Sequence, residues 1–229
     1  MLPVVAIDGP VGVGKSTTAK RVADELGFRH LDTGAMYRAV AWSVMQLPEA
    51  EHSNFAAIAN IARTMPLSLA SNGQVFAGDQ EISSEIRDES VSQFVTRVAD
   101  NMDVRHALVE QQQRLGMEQP SVLEGRDIGT VVFPNAACKI YLDASPKVRV
   151  ERRAAQLRAM GKRAVSAQIH AALLERDARD RAREWGALKL AEDATLIDTT
   201  HYDEDTVVRL ICALVRENPI FRELVAVAP

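Results

Sequence analysis

The sequence carries no large excess of charge of either sign. Its 27 Lys and Arg against 31 Asp and Glu leave a formal net charge of −4, so nothing overall favours a nucleic-acid or membrane partner, and any basic site must be local. No apolar stretch approaches the length of a membrane span. The N-terminus reaches Asp8 after a very short apolar run without a basic leader, so no signal peptide is expected. Cysteine is scarce, and Cys138 and Cys212 stand apart in apolar surroundings, which reads as buried thiols and not as a disulfide or metal pair. The five histidines (His30, His52, His106, His170 and His201) lack metal-ligand spacing and read as surface residues. There is no internal repeat and no low-complexity segment. A reducing, cytoplasmic setting is expected. What remains is 229 residues with 47% hydrophobic and 25% charged side chains, enough for one α/β domain of ordinary size plus an insertion.

The most telling stretch is Gly9-Pro10-Val11-Gly12-Val13-Gly14-Lys15-Ser16-Thr17, directly after the apolar run Val4-Val5-Ala6-Ile7-Asp8. It reads G-x-x-x-x-G-K-S between a strand and a helix, the setting a phosphate-binding loop requires. Glycines let the loop curl so that successive N–H groups point inward. The helix that follows turns its positive end toward the same anion. Lys15 supplies a charge for β- and γ-phosphates, and the Ser16 hydroxyl suits Mg²⁺. A nucleoside triphosphate is the expected ligand. The loop alone does not say what becomes of its γ-phosphate.

Beyond the loop, Ala19, Val22, Ala23 and Leu26 recur at helical spacing up to Gly27. A strand over 28–31, a helix opening at Asp32-Thr33-Gly34 and a helix over 55–63 follow, an order that signals a parallel α/β unit. Residues 67–86 change texture. Three short apolar runs, separated by Asn72-Gly73 and Gly78-Asp79, predict antiparallel strands in a small lobe, either grafted for function or a surface decoration. Helices are expected over 90–100 and 104–117, a strand over 121–124 ending in Gly125-Arg126-Asp127, and a strand over 139–143. Helices over 146–160 and 167–183, a last strand over 195–198 and a closing helix over 205–216 complete the chain. In open α/β sheets ligands sit beyond the carboxyl ends of the strands, so Asp8, Asp32, Asp127 and Asp143 are expected on one rim.

Arginine is the second signal. Arg176, Asp180 and Arg183 share a helix face at i, i+4 and i+7, with Arg179 beside them. A solvated helix with internal ion pairs, Asp177 with Arg181 for example, is one reading. An anion site is the other, because like charges stacked in a stripe are unfavourable without one. Arg38, one turn into its helix, and Arg126, at a strand end, favour the anion, since guanidinium forks suit phosphate oxygens. A second, phosphorylated substrate is implied.

Four segments together resemble the bacterial cytidylate kinase family: the phosphate loop, Asp32-Thr33-Gly34-Ala35-Met36-Tyr37-Arg38, the segment from Gly125-Arg126-Asp127 to Phe133-Pro134, and the 176–183 arginines. The match runs in order from Val4 to about Thr200. The resemblance implies a P-loop nucleotide kinase fold, a parallel sheet flanked by helices, in a single domain over 1–229. It also implies a CMP-binding β insertion at about 65–100 and a short helical lid at about 153–166. The implied reaction is MgATP + CMP to MgADP + CDP, with dCMP as a further acceptor and Mg²⁺ as cofactor, in a monomer. By position, Thr33 and Arg38 would hold the CMP phosphate, Thr96 and Arg105 the cytosine, and Asp127 its amino group. Arg176 and Asp180 would contact the ribose, while Arg126 and Arg183 would bind phosphate. Lys15, Arg126, Arg153 and Arg183 would serve the transfer itself. The roles of the lid arginines Arg152, Arg153 and Arg158 stay open. Thr33 stands where many relatives carry serine, and Ala187-Leu188 where the family often has Pro-Leu.

The chemistry suits these residue types. The attacking oxygen of a nucleoside monophosphate is already ionised near neutral pH, its second pKa being about 6, so no catalytic base is required. Charge repulsion is the obstacle, and cations address it. A carboxylate such as Asp127 would accept from cytosine's amino group and repel uracil's carbonyl. The nearest competing readings are a UMP or dTMP kinase, and further off a nucleotide-dependent switch, for which no N-K-x-D motif is present.

Overall fold

A computed structural model describes residues 3–70 and 73–225. In chain order the elements are β1 (Val4–Asp8), α1 (Lys15–Leu26), β2 (Arg29–Asp32), α2 (Thr33–Met45), α3 (Phe55–Thr64), β3 (Leu67–Leu69), β4 (Val75–Ala77), β5 (Gln80–Glu81), α4 (Glu89–Ala99) and α5 (Met102–Gly116). There follow β6 (Ser121–Glu124), β7 (Cys138–Asp143), α6 (Pro146–Ala159), α7 (Ser166–Ala182), β8 (Thr195–Asp198), α8 (Glu204–Glu217) and α9 (Pro219–Val225).

Five strands pair in the order β2-β6-β1-β7-β8, every pair parallel. Parallel strands are covered on both faces, and β1 shows it: all five of its residues are buried. Side chains alternate between the faces. Val4 and Ala6 join Leu31 and Leu123 under α2, α3, α4 and α5, whereas Val5 and Ile7 join Val122, Ile140 and Leu142 under α1 and α8. Because the strands are parallel, their carboxyl ends form a single rim. Asp8, Asp32, Glu124, Asp143 and Asp198 close the five strands there, as the sequence led one to expect for Asp8, Asp32 and Asp143; Asp127 follows β6 by three residues.

Helix ends are fixed locally. The Asp32 side chain accepts from Ala35 N at 2.8 Å to cap α2, and Asn101 caps α5 through the N–H groups of Asp103 and Val104. β3, β4 and β5 form a separate antiparallel sheet. Val75 of that sheet, with Ile82 and Ile86 just beyond it, packs on Ala35 and Ala39 of α2, so the lobe is seated on the helix that opens at the rim. Of its predicted Asn72-Gly73 turn, Asn72 lies outside the described residues.

Three sequence expectations need correction. Asp177 pairs with Arg149, not Arg181. Arg179 is exposed and bonded to Glu175 one turn earlier, so the supposed stripe of like charges is broken in its middle. His30 is not a free surface residue: it is half-buried, with Nε2 3.2 Å from Glu124 Oε1. Features that went unread include α9, a wide turn over Ile128–Val132 and 3-10 turns at Glu49–Ser53 and Glu85–Arg87. α9 begins with Pro219 straight after Asn218 and is anchored by Phe221, fully buried against Phe28. Among the described residues no helix is long and apolar enough to cross a membrane.

Candidate active site

The phosphate loop is set by its backbone. At Gly9 (φ 147°) the carbonyl of Leu142 stands where a Cβ would lie, its carbon 3.1 Å away, so only glycine lets the loop leave β1 this close to β7. Gly14 (φ 97°) is the N-cap of α1 and offers no side chain to cap it, and no acidic residue sits in the first turn. The opening N–H groups of α1 therefore have no side-chain partner at the cap, which is the arrangement an anion uses.

Lys15 folds back over the loop and donates to Pro10 O at 2.6 Å. Burial holds its pKa well below the ordinary lysine value, and Arg126 and Arg176 press it further down against the pull of Glu124 and Asp8. An ammonium so crowded by cations gains from an added anion. The Ser16 hydroxyl donates to Glu124 Oε2 at 2.8 Å, and the other carboxylate oxygen faces His30. Asp8 accepts from Ile128 N at 2.9 Å and Gly129 N at 2.7 Å. Burial nonetheless lifts its pKa to about 6. Glu124 closes an apolar strand on the rim; that position was the available signal, and the sequence reading gave it no role.

Across the rim lies a second cationic group. Arg126 Nε reaches Asp180 Oδ2 at 3.0 Å, and Arg183 Nη2 reaches Asp180 Oδ1 at 2.7 Å. Arg183 also donates to Asp100 Oδ1 at 3.1 Å. Burial works to raise the Asp180 carboxyl, but Arg126, Arg183 and Arg176 together hold it below its usual range. Arg176 differs from its neighbours, because no hydrogen bond or ion pair holds its guanidinium among the described residues. Burial lowers its pKa to about 10, and Arg126 adds to the shift. Arg38 donates to Asp32 Oδ2 at 2.8 Å, while its buried Nε has no hydrogen-bond partner among the described residues. Thr33 donates to the Glu124 carbonyl at 2.7 Å, at the end of β6.

The third part is a buried pair. Arg105 Nη2 lies 2.5 Å from Asp127 Oδ2, with the arginine side chain 2% exposed. Its guanidinium is sandwiched between Tyr37 and Trp185, 5.6 Å from each ring centroid. Burial raises the Asp127 pKa despite Arg105. Tyr37 and Trp185 were not singled out from the sequence, for nothing in their local spacing points to the arginine between them. Thr96 sits half-buried on α4, the helix leading to Arg105.

The lid arginines separate. Arg153 is partly exposed, 3.5 Å from Gln156 Oε1 and 4.0 Å from Glu89 Oε2 on α4, and stands apart from the gathered cations. Arg158 is exposed. Arg152 instead grips the loop and Thr199. No group of three or more His, Cys, Asp or Glu residues arranged to hold a metal occurs among the described residues. Ser16 and Glu124 alone already supply the hard oxygen donors that Mg²⁺ takes alongside phosphate oxygens, and so fit that ion.

Known proteins resemble the chain closely. The sequence model of the family described as Cytidylate kinase matches residues 5–217. A cytidylate kinase of Geobacter sp. (strain M21) is 41% identical over 93% of each chain, and one of Rhodopirellula baltica is 42% identical over the same shares. Among solved structures, an uncharacterized protein from Eubacterium ventriosum shares the fold, with a TM-score of 0.51 at 13% identity over 93% of this chain and 98% of its own.

Proposed function

The chain belongs to the cytidylate kinase family, and on that premise we propose which of its residues carry out the ATP-dependent phosphorylation of CMP. The observation that supports the assignment best is the gathering of Arg38, Arg126 and Arg183 within electrostatic reach of Arg176, with Arg126 and Arg176 also acting on Lys15. This supports two neighbouring anion sites, one of backbone amides with Lys15 and one of guanidinium groups.

ATP places its phosphates in the loop from Gly9 to Thr17, where Lys15 leaves Pro10 O and moves onto the β- and γ-phosphates. Ser16 and Glu124 would hold Mg²⁺, which would draw charge from the donor phosphates. CMP places its phosphate against Arg38, Arg126 and Arg183, with Thr33 donating or accepting at its edge. Arg176 and Asp180 take the ribose, and dCMP is accepted as well. Asp127, oriented by Arg105, accepts from cytosine's amino group, with Thr96 at the same end. The acceptor oxygen arrives ionised and needs no base. Catalysis lies in bringing two like-charged phosphates in line and offsetting their repulsion, the work of Lys15, Arg126 and Arg183 and, once the lid closes, of Arg153.

Residues 65–100 form the lobe that carries CMP, and residues 153–166 the lid, on a single domain. A cytoplasmic monomer completes the reading. Purified protein with ATP and a panel of CMP, dCMP, UMP and dTMP, read as ADP release, tests it. CMP and dCMP should turn over fastest. Turnover of UMP or dTMP equal to CMP would overturn the base assignment, and acceptor-independent hydrolysis would overturn the transfer.

A further inference from the structure

Three side chains outside the two anion sites hold the phosphate loop from behind. Arg149 of α6 donates from Nε to Val11 O at 2.7 Å. Its Nη2 is bound to the buried carboxylate of Asp177 on α7, whose other oxygen accepts from Val11 N at 3.4 Å. Arg152, one turn further along α6, donates from Nη1 to Val13 O at 3.1 Å. The same guanidinium grips Thr199 through its hydroxyl at 2.8 Å and its carbonyl at 2.9 Å. Thr199 is itself bonded to Asp143 O at 3.0 Å, at the end of β7. The loop lies directly on α6, for a Cβ at Gly12 would stand 3.3 Å from Arg149 O.

The consequence follows from peptide geometry. In a planar trans peptide the carbonyl of one residue and the N–H of the next point in opposite directions. Holding Val11 O against Arg149 therefore turns the N–H of Gly12 away from α6. Holding Val13 O against Arg152 does the same for Gly14. The peptide between Pro10 and Val11 is set the other way: its carbonyl faces Lys15 and its N–H faces Asp177. Glycine permits these orientations but does not select them, since its backbone is nearly indifferent to the sign of φ. Selection has to come from partners, and these three side chains are positioned to make it.

We propose that Arg149, Arg152 and Asp177 are positioning residues for the donor nucleotide, fixing the outward groups of the loop so that the Gly12 and Gly14 amides face its phosphates. The inference rests on the reading that the loop binds ATP. None of the three touches the reacting atoms in this scheme, and none is assigned to the acceptor.

The test uses ADP as the probe, measured by calorimetry, together with KM for ATP and for CMP. Arg152 is partly exposed, so Arg152→Gln is the main variant, with Arg152→Lys as the conservative one. Arg149→Lys adds a case that keeps the charge opposite Asp177 but not the two-pronged fork. Arg152→Gln should weaken ADP about tenfold and raise KM for ATP to match, with KM for CMP within about twofold of the parent. Arg152→Lys should recover part of the loss. Unchanged ADP affinity in a folded Arg152→Gln would overturn the proposal, as would equal rises in the two KM values. If Arg149→Lys does not fold, the two Arg152 variants decide alone. Failure of the parent protein to bind ADP would instead strike the reading of the loop as donor site.

Discussion

Gly186 offers the sharpest test of the proposed base-recognition pair, Arg105 and Asp127. It lies four residues past α7 with φ 70°, and its carbonyl accepts from Arg105 Nη2 at 3.4 Å. A methyl group added there would overlap Arg105 Nη2 and Asp127 Oδ2 and stand 2.8 Å from Arg105 Cζ. Ordinary contact needs about 3.5–4 Å, so the overlapping atoms of the pair must retreat by more than about 1 Å. It has little room to do so: Arg105 is 2% exposed, boxed by Tyr37 and Trp185, and tied to Ala99 O. A shift of that size at a positioning group costs on the order of 100-fold in rate, equivalent to about 2.7 kcal/mol. Left-handed backbone at a residue with a Cβ adds about 1–2 kcal/mol to folding. For a chain of this length, that corresponds to a fall in Tm of about 2–8 °C. Gly186→Ala should therefore lower kcat/KM for CMP about 100-fold and narrow the CMP/UMP ratio, while KM for ATP stays put. Coupled ADP-release kinetics on both acceptors, with a thermal melt, give all four quantities. A variant with parental CMP kinetics and an unchanged ratio would refute the claim that the Arg105–Asp127 geometry reads the base.

Three further outcomes are expected. Asp127→Ala should lower kcat/KM for CMP and narrow the CMP/UMP ratio by about tenfold or more, and steady-state kinetics showing an unchanged ratio would remove Asp127 from base recognition. Glu124→Gln keeps an oxygen beside Ser16 but not its charge, so half-saturating free Mg²⁺ should rise about tenfold with KM for CMP unchanged, read from activity across a Mg²⁺ titration. Asp8 titrates near pH 6 in the fold against 3.8 ordinarily, so the folded state holds its proton more tightly than the unfolded chain. Its stabilising contribution is full below about pH 4 and lost as pH rises through 6, a swing of about 3 kcal/mol. In urea unfolding of the nucleotide-free protein, the stability of the parent relative to Asp8→Asn should accordingly fall between pH 4.5 and 7.5.

Much of this molecule is legible residue by residue. The strands announce themselves because a parallel sheet buries both faces and needs continuous apolar runs, as in Val4 to Ile7. The loop is legible because phosphate binding by backbone demands glycine at fixed intervals. The lobe showed through its paired turns, although its packing on Ala35 and Ala39 did not. Pairing was the weak point. The chain suggested Asp177 with Arg181, neighbours on a helix worth about 0.2–0.5 kcal/mol. The fold gave Asp177 to Arg149, 28 residues away and buried, where an unpaired charge would be far more costly.

What the sequence determined by itself was the kind of chemistry: a strand, a glycine loop and a lysine dictate a polyphosphate site wherever they occur together, because each acts through its own backbone or its own charge. Which cation serves which partner was left to the tertiary structure. Arg38, Arg126, Arg152, Arg153, Arg176 and Arg183 look alike along the chain. Only folding leaves Arg153 partly exposed, ties Arg152 to the loop and leaves Arg176 half-buried without a hydrogen-bond or ion-pair partner among the described residues, since the worth of a charge depends on burial and on neighbours brought from distant segments.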